Sequence, residues 1–370
     1  MRDVLAERLL AQVMEWGPED IARERPWIQA MADYKYDEYR QFSPGMRFTE
    51  SLALWLRQFD DISERQTAYA YIRSAVVFFS QSEVSHFVAM AYPDHVKPRL
   101  LSRAAADLDE PVWRVSRASL SPEFRAIERK TLFLGLSDGA HTDMFRRANP
   151  SLSHEQMGLT YEVSRQRAAA LLASLRLDLG MPLPGCTSDE LRFSTLVLLD
   201  DFAGSGVSYI RKDGSGAVEG KVAKLFHSIY DSQGDMYGLF DVNKLVLIIV
   251  LYIATEHARM HIETLCQELW APTGTRPEVV VVSPLSSQLS LIETDPFWVV
   301  AEKYYDAKLH DSHMARGGTP DSRFGFAGCA LPVVLFHNTP NNSVALLWSY
   351  EADDISIRGL FPRVRRHKEN

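Results

Sequence analysis

The sequence has little cysteine and no excess of positive charge. Its three cysteines, Cys186, Cys266 and Cys329, lie far apart without a CxxC pair, which excludes a disulfide framework and a zinc ribbon. The 40 lysines and arginines stand against 48 aspartates and glutamates, a formal net charge of −8. Dedicated duplex-binding proteins show the opposite balance, because neutralising phosphates dominates their affinity. The cysteine usage is typical of a reducing compartment, so we expect a cytoplasmic protein.

Long hydrophobic runs are also missing. The most apolar stretch, LVLIIVLYIA at residues 245–254, is much shorter than the roughly 20 residues that span a bilayer. The first residues are charged and amphipathic, unlike the apolar segment of a secretory signal. A short continuous apolar run instead predicts a buried strand of a parallel sheet. We therefore expect no association with a membrane.

The spacing of apolar residues changes along the chain. Residues 1–125 carry them at three- and four-residue steps, as in Leu52, Trp55, Leu56 and Phe59, which predicts helices. From about residue 130, short apolar runs alternate with helical stretches, which indicates βαβ units and a mostly parallel sheet flanked by helices. The sequence thus predicts an all-helical N-terminal module (1–125) followed by an α/β domain (126–370).

Predicted strands and helices alternate through the α/β region. The apolar runs that predict strands are 131–136, 195–199, 245–254, 279–282 and 332–336. The helical patterns between them are 155–175, 221–230 and 257–269. Ligands of such sheets bind at the carboxyl ends of the strands, so the loops that follow the strands are the candidate sites.

Residues 196–208, LVLLDDFAGSGVS, combine an apolar run, two acids and a small-residue loop. The pattern predicts a buried strand with Asp200 and Asp201 at its carboxyl end and a helix start after the loop. Consecutive N–H groups of residues 204–208 at the positive end of that helix would bind a phosphate. Carboxylates repel a phosphate, so the acid pair suits sugar hydroxyls or a hydrated Mg²⁺ ion.

This segment resembles the phosphoribosyl-pyrophosphate (PRPP) signature of the type I phosphoribosyltransferases. The resemblance implies that Asp200 and Asp201 form the catalytic pair, hold the ribose hydroxyls and bind Mg²⁺ directly or through water. It implies that the 5′-phosphate is bound by Ala203, Gly204, Ser205, Gly206, Val207 and Ser208. The housekeeping enzymes usually carry an apolar residue and threonine where this chain has Ala203-Gly204, so one side-chain donor is lost.

A second segment, PVVLFHNTPNNS at residues 332–343, is followed by Leu347-Trp348. With residues 323–328, it is similar to a divergent phosphoribosyltransferase-like family found in bacterial conflict and antiviral gene clusters. Carboxamides both donate and accept hydrogen bonds, which suits a base or a sugar, but Asn and Pro are also common turn residues. With the resemblance, the residues that would orient the acceptor or base are His337, Asn338, Asn341 and Asn342.

A third loop, GLSDGAHTD at residues 135–143, follows the first predicted strand of the α/β region. In the phosphoribosyltransferase fold the loop after an early strand binds pyrophosphate. That resemblance assigns pyrophosphate binding to Ser137, Asp138, Gly139 and Thr142. Asp138 suits a turn or a position beside a metal better than direct contact with an anion.

Three interpretations of function remain open. The first is an enzyme that uses PRPP with Mg²⁺, or that pyrophosphorolyses or modifies nucleotides. The resemblance implies a role in antiviral defence, with a homodimer or a partner such as a reverse transcriptase and its RNA as candidate assemblies. The second is a non-catalytic module that binds PRPP or a nucleotide, favoured by the lost threonine and by the lack of a clear mobile hood outside residues 180–190. The third is a partner-docking scaffold.

Overall fold

The computed structural model of the chain describes residues 3–179, 191–350 and 355–363. The chain divides into two compact units. The continuous unit is Val84–Leu285, and the discontinuous unit combines Met1–Glu83 with Ser286–Asn370.

The secondary structure alternates between helices and short strands. The helices are α1 (Asp3–Val13), α2 (Pro18–Tyr34), α3 (Phe48–Arg57), α4 (Ile62–Ser74), α5 (Gln81–Met90), α6 (Lys97–Asp107), α7 (Val115–Leu120), α8 (Pro122–Arg129), α9 (Thr142–Ala148), α10 (Arg165–Leu179), α11 (Lys221–Tyr230), α12 (Glu256–Trp270), α13 (Pro296–Lys303), α14 (Ser312–Ala315) and α15 (Ala345–Trp348). The strands are β1 (Val77–Phe79), β2 (Thr131–Gly135), β3 (Met157–Gly158), β4 (Thr195–Ala203), β5 (Arg211–Lys212), β6 (Val218–Glu219), β7 (Val246–Thr255), β8 (Glu278–Leu285) and β9 (Val333–Leu335). None of the described helices is long and apolar enough to cross a membrane.

The continuous unit is built on a five-stranded parallel sheet. Its strand order is β3-β2-β4-β7-β8, and every neighbouring pair runs parallel. The predicted α/β class with a mostly parallel sheet is therefore confirmed. The apolar run at 245–254 becomes β7, which lies between β4 and β8 and is almost fully buried.

Helices cover this sheet and complete its core. Buried side chains of the strands and of α10, α11 and α12 form one cluster, which includes Leu198, Ile249, Leu175, Leu225 and Ile262. Helix α12 begins directly after β7, because the Thr255 hydroxyl accepts a hydrogen bond from the Ala258 N–H group at 3.0 Å and so caps the helix.

The division between the units differs from the boundary predicted near residue 125. The helices between residues 84 and 129 belong to the continuous unit. There the Arg103 guanidinium donates to the Thr195 hydroxyl at 2.5 Å, and the rings of Tyr92 and Phe133 lie 6.0 Å apart. The prediction followed the change in local pattern, whereas the division depends on which helices pack on the sheet.

The discontinuous unit carries a two-stranded sheet of its own. Strand β1 pairs in parallel with β9, with Phe78 opposite Val334. Two predictions are corrected by this pairing. The run at 332–336 does not join the main sheet, and one short strand interrupts the region predicted to be all helical. A short apolar run predicts burial but does not specify the strand with which it pairs.

Candidate functional site at the carboxyl edge of the sheet

The strand order predicts a ligand crevice between β2 and β4. From β2 the chain adds β3 on one side, whereas β4, β7 and β8 extend the sheet on the other. In open parallel sheets, ligands bind outside the carboxyl ends of the strands where the order reverses in this way. The loops that leave β2 and β4 carry two of the three predicted motifs. The structure therefore brings the motifs at residues 135–143 and 196–208 to one edge.

The acid pair was predicted at the carboxyl end of the strand, and it lies slightly before that end, because β4 continues to Ala203. Successive residues of a strand point to opposite faces of the sheet. Asp200 is only 2% exposed, whereas Asp201 is partly exposed. The two carboxylates therefore have different surroundings.

Asp200 is held by three neighbours. The Ser137 hydroxyl donates to Asp200 Oδ1, the Asp201 N–H group donates to the same atom at 3.1 Å, and Lys221 Nζ lies 3.7 Å from Oδ2. Burial, and next the charge of Asp201, raises the pKa of Asp200 to about 6, while Lys221 opposes the shift. The hydroxyl of Ser137, predicted to bind pyrophosphate, is thus engaged by Asp200 in this structure.

Asp201 lies against the loop after β2. A methyl group on Gly139 would come within 2.5 Å of Asp201 Cγ, so the absence of a side chain at Gly139 is what admits the carboxylate. Of the other residues predicted in this loop, Asp138 is exposed, and Thr142 is buried as the first residue of α9. The structure therefore joins the acid motif to the predicted pyrophosphate loop through Ser137 and Gly139.

The loop after β4 packs on helix α12. The Thr255 hydroxyl donates to the Gly204 carbonyl at 2.7 Å. Gly206 has a φ of +79°, and a methyl group there would lie 3.0 Å from the Ala258 carbonyl oxygen and from an Ile262 side-chain carbon. Glycine is required at this position by both the backbone conformation and the close approach.

Several N–H groups of this loop are available to a ligand. Ser205 is 4% exposed, and the Val207 N–H group donates to its hydroxyl at 3.4 Å. Within the described part of the chain, no acceptor pairs with the N–H groups of Ser205, Gly206 or Ser208. Ser205 and Gly206 are buried, where N–H groups are nearly always paired, and unpaired N–H groups gathered in one loop are suited to binding an anion.

The helix predicted directly after this loop is absent. Residues 207–210 form a turn, the chain enters the β5–β6 hairpin, and α11 begins only at Lys221. The Tyr209 hydroxyl donates to the Phe202 carbonyl at 2.8 Å and so holds the turn against the end of β4. No helix begins within the loop itself. Its N–H groups therefore lack the favourable macrodipole of the helix that was predicted to start there.

Two functional candidates escaped the sequence analysis. Lys221 occupies the first position of α11, where the helix macrodipole disfavours a cation, and that mismatch was the signal for a specific partner. Tyr252 lies within β7 and donates from its hydroxyl to the Ala140 carbonyl at 2.8 Å. Nothing in the local pattern of an apolar strand distinguishes such a tyrosine from a packing residue.

The His-Asn-Thr-Pro-Asn-Asn segment lies in the discontinuous unit as a turn after β9. The His337 carbonyl accepts from Gln41 Nε2 at 2.8 Å, and the Asn338 N–H group donates to the Leu335 carbonyl at 3.0 Å. Asn342 is buried, and its Nδ2 atom donates to the Phe326 carbonyl at 3.1 Å. Asn341 Nδ2 lies 3.4 Å from the sulfur of Met314. These contacts serve the turn, and an acceptor-orienting role stays a prediction.

A magnesium site built from protein groups alone is not evident. Among the described residues, no group of three or more His, Cys, Asp or Glu side chains could hold a metal ion. Magnesium is often held by only one or two carboxylates together with substrate phosphates, and Asp201 suits that arrangement. Asp200 suits it less, because Lys221 already offsets its charge. The hood candidate at 180–190 lies outside the described residues.

Comparison with known proteins identifies the family of the chain. No curated protein matches the chain. No solved structure matches it either. The model of the PRTase-CE family matches residues 52–363, a range that begins inside the predicted helical module and contains the crevice between β2 and β4. Because this match covers most of the chain, the chain belongs to the PRTase-CE family, a phosphoribosyltransferase-like family.

Proposed function

We propose that the continuous unit binds PRPP with Mg²⁺ at the carboxyl edge of its sheet and acts as a phosphoribosyltransferase. One observation carries the proposal: a half-buried carboxylate, Asp201, lies near the end of β4 beside β2, and the loop that follows the same strand carries unpaired N–H groups at Ser205, Gly206 and Ser208. A ribose phosphate needs both kinds of group, hydroxyl acceptors and phosphate donors, within one ligand length. Family membership supports the same ligand class.

Each part of the site has a distinct role under this proposal. The N–H groups of Ser205, Gly206 and Ser208 bind the 5′-phosphate. Asp201 accepts hydrogen bonds from the ribose hydroxyls, and its negative charge stabilises the positive charge that develops on the ribose as the bond to pyrophosphate breaks. Asp200 holds Ser137, and thereby the loop after β2, in position. Catalysis then rests on orientation and electrostatics, with no protein nucleophile.

Magnesium would be held by Asp201 together with oxygens of the bound substrate. When bound, it supplies positive charge against the pyrophosphate group. The residues of this chain fit that use, because Asp201 is partly exposed and stands beside Gly139 on the loop predicted to bind pyrophosphate. The protein groups themselves orient the ribose.

A non-catalytic PRPP- or nucleotide-binding module is the second candidate. The observation that favours it is that both carboxylate oxygens of Asp200 already have protein neighbours. They contact Ser137, the Asp201 N–H group and Lys221. The absence of a helix start after the loop at 204–208 points the same way. A regulator needs affinity for the ligand but no groups reserved for the transition state.

Calorimetric titration with PRPP and Mg²⁺ tests the proposal. We expect wild type to bind, and Asp201→Asn to bind at least tenfold more weakly because a carboxylate acceptor becomes a carboxamide. Asp235→Asn is the matched control, since Asp235 is a well-exposed acid of the same unit. Failure of wild type to bind PRPP or ribose 5-phosphate would overturn the proposal. Pyrophosphate release with a panel of nucleobases and nucleotides then separates the enzyme from the regulator.

We also propose that the chain serves antiviral defence, a role supported by the resemblance of its His-Asn-Thr-Pro-Asn-Asn segment to proteins of conflict gene clusters. The expected result is that cells expressing wild type resist phage and cells expressing Asp201→Asn do not. Equal resistance from both would instead favour the scaffold interpretation. Co-expression with a candidate partner, such as a reverse transcriptase and its RNA, tests whether activity depends on an assembly.

A further inference from the structure

Lys221 forms an ion pair with Asp200 at the candidate site. We infer that Lys221 is a phosphate-binding residue of the candidate site, held by an ion pair with Asp200 until an anionic ligand enters. The inference rests on the proposed function, because it assigns a role within the same site. Three features carry it: the contacts of the ammonium group, the way the fold delivers it, and its charge environment.

The ammonium group of Lys221 lies between a buried acid and an aromatic ring. Its Nζ atom is 3.7 Å from Asp200 Oδ2 and 5.3 Å from the ring centroid of Tyr209. The side chain is 29% exposed, against 2% for Asp200. The cation is therefore reachable from solvent although its partner is not.

The fold delivers Lys221 to the phosphate loop by a specific route. After Ser208 the chain makes the β5–β6 hairpin and returns, so that the Val222 N–H group donates to the Tyr209 carbonyl at 3.0 Å. Gly220 allows the return with a φ of +114°. A methyl group there would lie 2.9 Å from the Tyr209 carbonyl carbon. Lys221 is thus anchored to the residue that follows the loop.

The local charges favour a transfer of this contact to a ligand. A cation at the first position of a helix is disfavoured by the macrodipole, and the same end of α11 favours an anion. A phosphate entering beside the loop would gain the Lys221 charge, the end of α11 and the free N–H groups of Ser205, Gly206 and Ser208. Lys221 Nζ lies 3.7 Å from Asp200 Oδ2, whereas a charge-assisted hydrogen bond is typically about 2.8 Å long. A phosphate oxygen about 2.8 Å from Lys221 Nζ would therefore make a stronger contact than Asp200 does.

Binding of inorganic pyrophosphate without added metal tests the inference, measured by calorimetry on the full chain. We expect Lys221→Met to bind at least tenfold more weakly than wild type and Lys221→Arg to stay within about threefold, since the charge is kept. The matched control is Lys224→Met, which removes the same charge from an exposed position one turn along α11. Thermal melting of each variant reports whether it is folded.

A double-mutant cycle separates ligand contact from support of Asp200. If Lys221 contacts the anion, Asp200→Asn binds pyrophosphate more tightly, because the lysine is released, and adding Lys221→Met removes the gain. If Lys221 only neutralises Asp200, Lys221→Met has no effect in the Asp200→Asn background, and the inference is overturned. If PRPP binds to wild type and to Lys221→Met equally well, the inference is overturned and the proposed function is not. If pyrophosphate binding depends on Lys221 but PRPP does not bind, the proposed function is overturned and the inference is not.

Discussion

The carboxylate of Asp201 occupies the space that a side chain at Gly139 would fill. Asp201 Cγ lies 2.5 Å from the position of a methyl group on Gly139, although Asp201 belongs to β4 and Gly139 to the loop after β2. Strand β2 pairs with β4, with Gly135 opposite Leu199, and this pairing brings the loop after β2 onto the acid pair. The contact brings the two motifs of the candidate site together in space, which no spacing in the sequence indicates.

Gly139→Ala should therefore impair the ligand more than the fold. Gly139 does not have a positive φ, so the alanine meets no backbone strain, and the carboxylate of Asp201 must move instead. We expect PRPP to bind at least tenfold more weakly, measured by calorimetry, with a melting temperature within a few degrees of wild type. Gly214→Ala, with open space around the added methyl group, should change neither quantity. Unchanged PRPP affinity in Gly139→Ala would contradict the placement of Asp201 in the site.

Gly206→Ala should destabilise the protein more than the same change at Gly216. Both glycines have positive φ, +79° and +87°, so both variants lose roughly 1–2 kcal/mol to backbone strain. At Gly206 the methyl group would also lie 2.9 Å from a ring carbon of His261, whereas nothing lies within 4 Å at Gly216. We expect a further loss of roughly 1–3 kcal/mol at Gly206, measured by urea unfolding. Equal losses would show that the loop does not pack on α12.

The stability of the protein should depend on pH through Asp200. Its pKa is raised from 3.8 to about 6 in the folded chain, first by burial, so the folded state holds this proton more tightly than the unfolded state. The contribution of Asp200 to the free energy of unfolding therefore falls as pH rises from about 4 to about 6, by roughly 3 kcal/mol, and is constant above.

The variant Asp200→Asn removes this titration. We expect its free energy of unfolding to increase relative to that of wild type by roughly 2 kcal/mol between pH 4.5 and pH 7.5, so that the variant becomes the relatively more stable protein. Urea unfolding at a series of pH values measures the difference, and a constant offset from the lost Ser137 contact does not affect its slope. Parallel curves for the two proteins would mean that Asp200 has an ordinary pKa. Asp235→Asn, at a well-exposed position, should run parallel to wild type.

Asn342→Ala should act on stability and not on the choice of acceptor. Asn342 holds a loop in which Gly325, Ala327, Gly328 and Ala330 all have positive φ, through the bond from its side chain to the Phe326 carbonyl. Loss of that buried bond should cost roughly 1–3 kcal/mol in urea unfolding. Asn341→Ala should cost less, since the side-chain amide of Asn341 donates to a sulfur atom at 3.4 Å, a weaker acceptor than a carbonyl oxygen. A changed preference among nucleobases at unchanged stability would instead support the acceptor-orienting role.

Local patterns predicted the parts of the fold that depend on local physics. Helix α11 begins and ends where its apolar spacing indicated, and the run at 245–254 became β7. The acid motif and the loop at 135–143 lie together because they are at the carboxyl ends of two neighbouring parallel strands. The turn alternative for the His-Asn-Thr-Pro-Asn-Asn segment agrees with its observed contacts. Such features follow from the period of apolar residues and from the preferences of Gly, Asn and Pro.

Tertiary structure alone decided the chemistry of individual side chains. The four apolar residues before the acid pair could not show that β4 continues to Ala203. They therefore could not show that Asp200 and Asp201 have different surroundings. Nor could they show that Lys221 returns to Asp200 after a hairpin, or that β9 pairs with β1. Periodicity reports how each residue is buried along its own segment. Partner, charge and pKa depend on which distant segments fold against it, and these contacts are absent from any local window.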